Sequence, residues 1–183
     1  MASTMRFDNW QTTDGTSIAT TNASGDITFA GAVAGAGKIL QVLQTVKTDR
    51  FTTTSTSFVD VTGVSQLITP SSTSNKVLVT IAGTTGVAGA GSIVWLNAVR
   101  DTTNIGQSTG GATNNQTTLM FPNGVSTGTP FAISFLDSPA TTSATTYKLQ
   151  MAVYSGGTGV IGGTAVNANS GSITTITVME VSA

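Results

Sequence analysis

The chain of 183 residues contains no cysteine and no histidine. Without cysteine there is neither a disulfide framework nor a thiolate metal site, so stability has to come from packing or association. Without histidine the serine–histidine–acid and cysteine–histidine devices are excluded, as are the usual zinc and iron ligands. Charge is equally scarce: 7 Lys and Arg against 8 Asp and Glu give 8% charged residues and a net charge of -1. No basic field exists to hold a nucleic-acid backbone or an anionic membrane. Lys, Glu and Arg, the residues that usually form exposed helix, are replaced by Thr, Ser, Asn and 21 Gly, a mixture that favours strands and turns. No apolar run approaches the ~18 residues of a membrane span, and Met1 to Asp8 lacks the apolar centre of a signal peptide. The expectation is synthesis in a cytoplasm followed by use on an exposed, polar particle surface.

What is present divides at residues 30–37, Ala-Gly-Ala-Val-Ala-Gly-Ala-Gly, which read as a Gly/Ala seam or short stalk. Gly37-Lys38 invites comparison with a phosphate-binding loop. That motif needs Gly where Ala32 stands and Ser or Thr where Ile39 stands, with a helix to follow, and a strand pattern follows instead. The seam is read as a mechanical junction. Residues 1–29 hold Phe7, Trp10, Ile18, Ile27 and Phe29 in a polar background too sparse to offset its own ordering entropy. They are expected to form an extended arm, with Arg6, Phe7 and Trp10 as the docking residues because aromatic and Arg side chains anchor interfaces. Packing of the two aromatics on the chain's own main domain is the alternative.

Residues 38–183 alternate with period 2. Leu40, Val42 and Val46 share one face of the first run. Phe58 to Gly63 reads as a short edge strand ending in a turn. Val77, Val79 and Ile81 are expected inward on the next strand, which ends at Gly83 and is followed by the glycine-rich stretch to Gly91. Ile93 to Arg100 is apolar on both faces and is placed centrally, with Trp95 in the core. Phe131, Ile133 and Phe135 share a face, as do Leu149, Met151 and Val153. Tyr147 and Tyr154 flank that strand and are candidates to present their hydroxyls. The glycines from 156 to 163 break the pattern before a last strand carrying Ile176, Val178 and Met179. Eight or so strands with no helix between them predict an antiparallel β-sandwich.

No catalytic, cofactor-binding or metal constellation emerges, and no cofactor is expected. Seven Asp and the sole Glu180 are scattered, mostly at turn positions. Asp101 and Asp137 are the pair a glycosidase reading would use. The most polar loop runs from Ile105 to Gln116. With Asn104, Gln107, Asn114, Asn115 and Gln116 it is the candidate receptor-facing surface, suited to neutral hydrogen bonding or to solvation.

Several passages together resemble bacteriophage tail-fibre and related virion structural proteins, marine and cyanophage ones in particular: Met5-Arg6-Phe7-Asp8-Asn9-Trp10, Lys38 to Gln44, Gln66 to Pro70 before Asn75 to Val79, Leu136-Asp137-Ser138-Pro139, and Ile176 to Val181. The resemblance implies an all-β fold: an extended N-terminal arm attached to the virion, then an antiparallel jelly-roll β-sandwich similar to the tumour-necrosis-factor fold. It implies a non-enzymatic homotrimer whose partners are itself, other virion proteins through the arm, and a host-surface glycan or protein, with no nucleic acid and no membrane insertion. Because the chain is short for a complete tail fibre, a head fibre or capsid decoration protein stands as the alternative. A polysaccharide depolymerase is the third reading.

Overall fold

The computed structural model describes residues 9–11, 17–21, 24, 27–29, 37–89, 93–110, 116–120, 128–154, 157–167 and 169–183. The chain divides into two units, residues 1–36 and 37–183.

In the first unit, β1 (Asn9–Gln11), β2 (Ser17–Thr21) and β3 (Ile27–Phe29) form an antiparallel sheet in the order β1-β2-β3. The register places Trp10 opposite Ala19 and Ala19 opposite Phe29. The segment read as an extended arm is therefore strand-bearing. Arg6, Phe7 and the seam residues 30–36 lie outside the described residues.

In the second unit, alternating sequence becomes two antiparallel sheets packed face to face. The first sheet contains β4 (Ile39–Lys47), β5 (Phe51–Thr53), β7 (Lys76–Ala88), β11 (Thr129–Asp137), β13 (Thr158–Ile161) and β14 (Thr174–Val181). Its main path is β4-β14-β7-β11, with β13 and then β5 continuing beside the far end of β7. The second sheet contains β6 (Val59–Ile68), β8 (Ile93–Arg100), β9 (Thr103–Ile105), β10 (Thr118–Met120) and β12 (Thr145–Tyr154), ordered β6-β12-β8-β10 with β9 also on β8. Between them lies one apolar core that includes Val77, Val79, Ile81, Leu96, Leu149, Met151, Val153, Ile176 and Val178. At roughly 25 cal/mol per Å² of apolar surface removed from water, this burial is the main term holding the sandwich together.

The expected inward triplets on β7 and β12 are fully buried, and β8 is central as read. Four local expectations are corrected. The strand does not end at Gly83: β7 runs on to Ala88 because β11 and β13 both pair with it. The glycine run from 156 contains β13, where a Cβ on Gly159 would lie 2.6 Å from Val153 Cγ2, so only glycine lets this strand press onto the core. Gly63 is a bulge and not a terminus. With φ at +83° it carries β6 onward, and the β6–β12 register shifts between Lys148 and Gln150. Finally, Leu40, Val42 and Val46 do share a face of β4, but it is the outward one.

Two buried polar networks lie on either side of Val77 at one end of the sandwich, since Glu180 on β14 and Asp137 on β11 are both its register partners. Glu180 on β14 is 1% exposed and has no cationic partner among the described residues. Its carboxylate instead accepts from Gln41 Nε2 at 2.7 Å, Asn75 Nδ2 at 2.6 Å, and Ser71 N and Oγ at 2.6 and 2.7 Å. At the opposite side Asp137 Oδ2 accepts from Tyr147 Oη at 2.7 Å and from Arg100 Nη1 at 2.6 Å.

Candidate functional site

The outer face of the second sheet gathers the polar and aromatic groups that a ligand would meet. Because Val94, Leu96 and Ala98 turn inward, the pleat sends Trp95, Asn97 and Val99 outward. The expectation that Trp95 lies in the core is thereby corrected. A strand apolar on both faces does not by itself say which face meets the partner sheet. Trp95 is half-buried and its ring lies 5.5 Å from that of Tyr154, at an interplanar angle of 49°. Tyr154, at the end of β12, is 51% exposed. The other tyrosine behaves oppositely: Tyr147 is wholly buried, and burial followed by its bond to Asp137 pushes its hydroxyl pKa upward.

Gln150 stands opposite Asn97 in the β12–β8 register. It donates through Nε2 to Asp60 Oδ1 at 2.7 Å, while Lys148 Nζ holds Asp60 Oδ2 at 2.8 Å. Those bonds to Lys148 and Gln150 keep the Asp60 carboxyl below its ordinary range. The pair neutralises itself, which leaves this face without net charge among the described residues.

Asn97 is the focus. It is 0% exposed, although it sits on the outward side of its strand. What covers it is the loop after β9. Ser108 N–H donates to the Gln116 carbonyl at 3.2 Å and closes the neck of that loop. Thr117 then pins it to β8: its N–H donates to Asn97 Oδ1 at 3.1 Å, its Oγ1 accepts from Ala98 N at 2.9 Å, and the same hydroxyl donates to the Ile105 carbonyl at 2.9 Å. Gln107 Nε2 adds a long contact to Asn97 Oδ1 at 3.4 Å. A backbone N–H can only donate, so Thr117 fixes the orientation of the Asn97 amide. Its Nδ2 is left buried with no partner, and Gln116 Oε1 is likewise buried and unpartnered.

Of the residues proposed for the receptor-facing loop, Gln107 contacts Asn97, and Gln116 precedes Thr117, which bonds Asn97. Asn104 sits apart on β9, exposed, and Asn114 and Asn115 lie outside the described residues. Trp10 lies on β1. Loop composition singled out this segment and did not single out Asn97, Gln150 or the Trp95–Tyr154 pair. The available signal was parity, since Trp95 and Asn97 are two residues apart and share a face. Asp101 and Asp137 both have structural partners: Asp101 Oδ1 accepts from Thr146 N at 2.8 Å, and Asp137 is held by Arg100 and Tyr147.

No protein-family model matches the chain, and no curated protein is similar to it at a significant level. The class that fold and site define is an all-β protein with a two-sheet antiparallel sandwich whose polar, aromatic-bearing outer face is built on β8 and β12.

Proposed function

We propose that the chain is a non-enzymatic structural protein of a bacteriophage particle: a short trimeric tail fibre or tail appendage, docked by its N-terminal region through Arg6, Phe7 and Trp10, with its β head directed to the host surface. The head is a jelly roll of the tumour-necrosis-factor kind. Supporting this is the strand order, β4-β14-β7-β11 against β6-β12-β8-β10, in which the chain passes repeatedly from one sheet to the other. The passages that resemble virion proteins fall largely on β4, β7 and β14 and at the end of β11.

The observation that carries the assembled state is the outer face of the first sheet. Registers align Val42, Met179, Leu78 and Leu136 in one row across four strands. The next two rows on that face are Gln44, Thr177, Thr80 and Ser134, then Val46, Thr175, Ala82 and Ala132. These rows contain no charged residue, yet Val42 is 53% and Leu136 46% exposed. A surface with apolar groups and no charge to desolvate packs favourably against copies of itself.

Light scattering of the purified protein is expected to give a trimer mass. Val42→Lys with Leu136→Lys is expected to give a folded monomer, because both side chains are exposed in the single chain and a charge there costs only the association. A monomer mass for the unmodified protein would count against the assembly. Location is tested on the particle: antibody against residues 38–183 should label the tail, and free protein should adsorb to host cells. Labelling of the capsid lattice without adsorption would select the decoration-protein alternative. Release of reducing ends from host polysaccharide, lost in Asp101→Asn, would select the depolymerase.

A further inference from the structure

We infer that the outer face of the second sheet, around Trp95, Asn97, Gln107, Gln116, Gln150 and Tyr154, is a binding site for a neutral saccharide. This rests on the host-attachment reading above and names the ligand class and the residues. Three observations converge. Tyr154 offers an exposed ring held in place against Trp95, which is the apolar plane that the C–H face of a pyranose covers. Farther along the same two strands the paired residues Asn97 and Gln150 supply uncharged amides, and the one ion pair of the face, Asp60 with Lys148, is internally balanced. Beneath the loop neck a buried donor, Asn97 Nδ2, and a buried acceptor, Gln116 Oε1, both lack partners.

The third observation selects the chemistry. An unmatched buried polar group is destabilising, and here two belong to Asn97 and to the residue next to Thr117, which bonds Asn97. One is a donor and the other an acceptor. A hydroxyl does both, and saccharides present hydroxyls in series beside an apolar ring face. A carboxylate or sulfate would satisfy Asn97 but would repel Gln116 Oε1 and find no uncompensated cation on this face among the described residues. Gln107 and Gln116 are half-buried, and Thr117 rather than either glutamine anchors the loop to β8. The Gln116 side chain can therefore turn towards a ligand while the loop neck stays in place.

The test uses the full-length protein and four defined polymers: dextran, mannan and galactan as neutral probes, and polygalacturonate as the anionic one. Affinity electrophoresis and saturation-transfer NMR are expected to show binding to at least one neutral polymer and none to polygalacturonate. Tyr154→Ala, exposed enough not to threaten the fold, is expected to weaken binding on the order of tenfold. Gln107→Ala and Gln116→Ala should each weaken it severalfold, with unchanged thermal stability. Absence of binding to all three neutral polymers, preference for polygalacturonate, or unchanged affinity in Tyr154→Ala together with both glutamine variants would overturn the assignment. Filling of the orphan pair by water alone would appear as the first of these outcomes. The two readings fail separately. A particle protein that adsorbs to cells but ignores neutral glycans refutes only the saccharide site, while a neutral-glycan binder absent from particles refutes only the virion role.

Discussion

Glu180→Ala is expected to lower the stability of the sandwich by about 3 kcal/mol or more, the cost of removing one side of a buried charged network. The reason lies in what remains behind. The carboxylate collects the side-chain amides of Gln41 and Asn75 and both the N–H and the hydroxyl of Ser71, joining β4, β14 and the β6–β7 loop. Ser71 and Gln41 can turn to water, but Asn75 is 6% exposed and cannot. For a domain of this size the loss is a drop in melting temperature on the order of 10 °C. Glu180→Gln should cost less. Its oxygen can still take Ser71 and Asn75, but its NH₂ faces Gln41 Nε2, and Gln41 cannot turn over without giving up its 2.9 Å bond to the Thr69 carbonyl. The pH dependence follows from the same bonds. Burial alone raises the pKa, but the donors from Asn75, Gln41 and Ser71 outweigh it and hold the carboxyl at about 2 against an ordinary 4.5. A depressed acid stabilises the fold fully above its unfolded pKa. That contribution, about 3 kcal/mol at ~1.4 kcal/mol per pKa unit, is therefore lost as pH falls from about 4.5 towards 2. Acid titration of unfolding should show the loss in the unmodified protein and not in Glu180→Gln. Equal acid sensitivity in both would refute the assignment.

The same residue marks the limit of what the sequence made legible. Alternation identified β4, β7, β8, β11, β12 and β14 and chose the buried side of β7 and β12, because there the apolar residues fall on one parity only. It also places Glu180 on the side of Ile176 and Val178, so the sole glutamate of the chain was readable as a buried group once the inward face of β14 was fixed. Reading the carboxylates as scattered turn residues missed this. Where both parities are apolar, as in β8, the sequence says that the strand is central but not which face holds Trp95. On β4 the shared face of Leu40, Val42 and Val46 was visible, while its outward direction depends on β14 and β6, contacts no local pattern encodes. Gly159 hid β13 for a different reason: glycine normally weakens a strand, and only the proximity of Met151 and Val153 explains why it is required in one. Loop composition drew attention to Gln107 and Gln116, but the placement of their segment beside Asn97 depends on Thr117, which bonds Asn97 from twenty residues away in sequence.

The passages that carry the family resemblance acquire a physical content from these contacts. Gln41, Thr69, Asn75 and Glu180 come from three of those passages and meet in one network. A buried carboxylate without a cationic partner among the described residues demands such donors, so the four residues act on the fold. On the outer face of the first sheet the rows from Val42–Leu136 to Val46–Ala132 are uncharged and suited to self-association, and the outer face of the second is aromatic and amide-bearing.

Asp137→Ala is expected to cost about 2–4 kcal/mol, and Tyr147→Phe about 1–2 kcal/mol, with the double variant losing clearly less than their sum. Asp137 closes β11 and is 6% exposed, between a guanidinium and a phenol that reach it from neighbouring strands. Removing the carboxylate leaves those two donors in different positions. Arg100 retains its 3.3 Å bond to the Ser138 carbonyl and, with 23% of its side chain exposed, can recover hydration. Tyr147 is fully buried and cannot, so most of the cost is the stranded phenol. Once Tyr147 is Phe, that part disappears, which makes the pair non-additive by on the order of 1 kcal/mol or more. Alkaline pH supplies an independent check. Burial, and then the bond to Asp137, raise the Tyr147 pKa, so the neutral phenol's contribution is complete below its ordinary value near 10 and is lost as pH climbs above it. Tyr147→Phe should flatten that alkaline decline. Strictly additive losses, or an alkaline decline unchanged in Tyr147→Phe, would show that the hydroxyl's bond to Asp137 is not what holds this end of the sandwich.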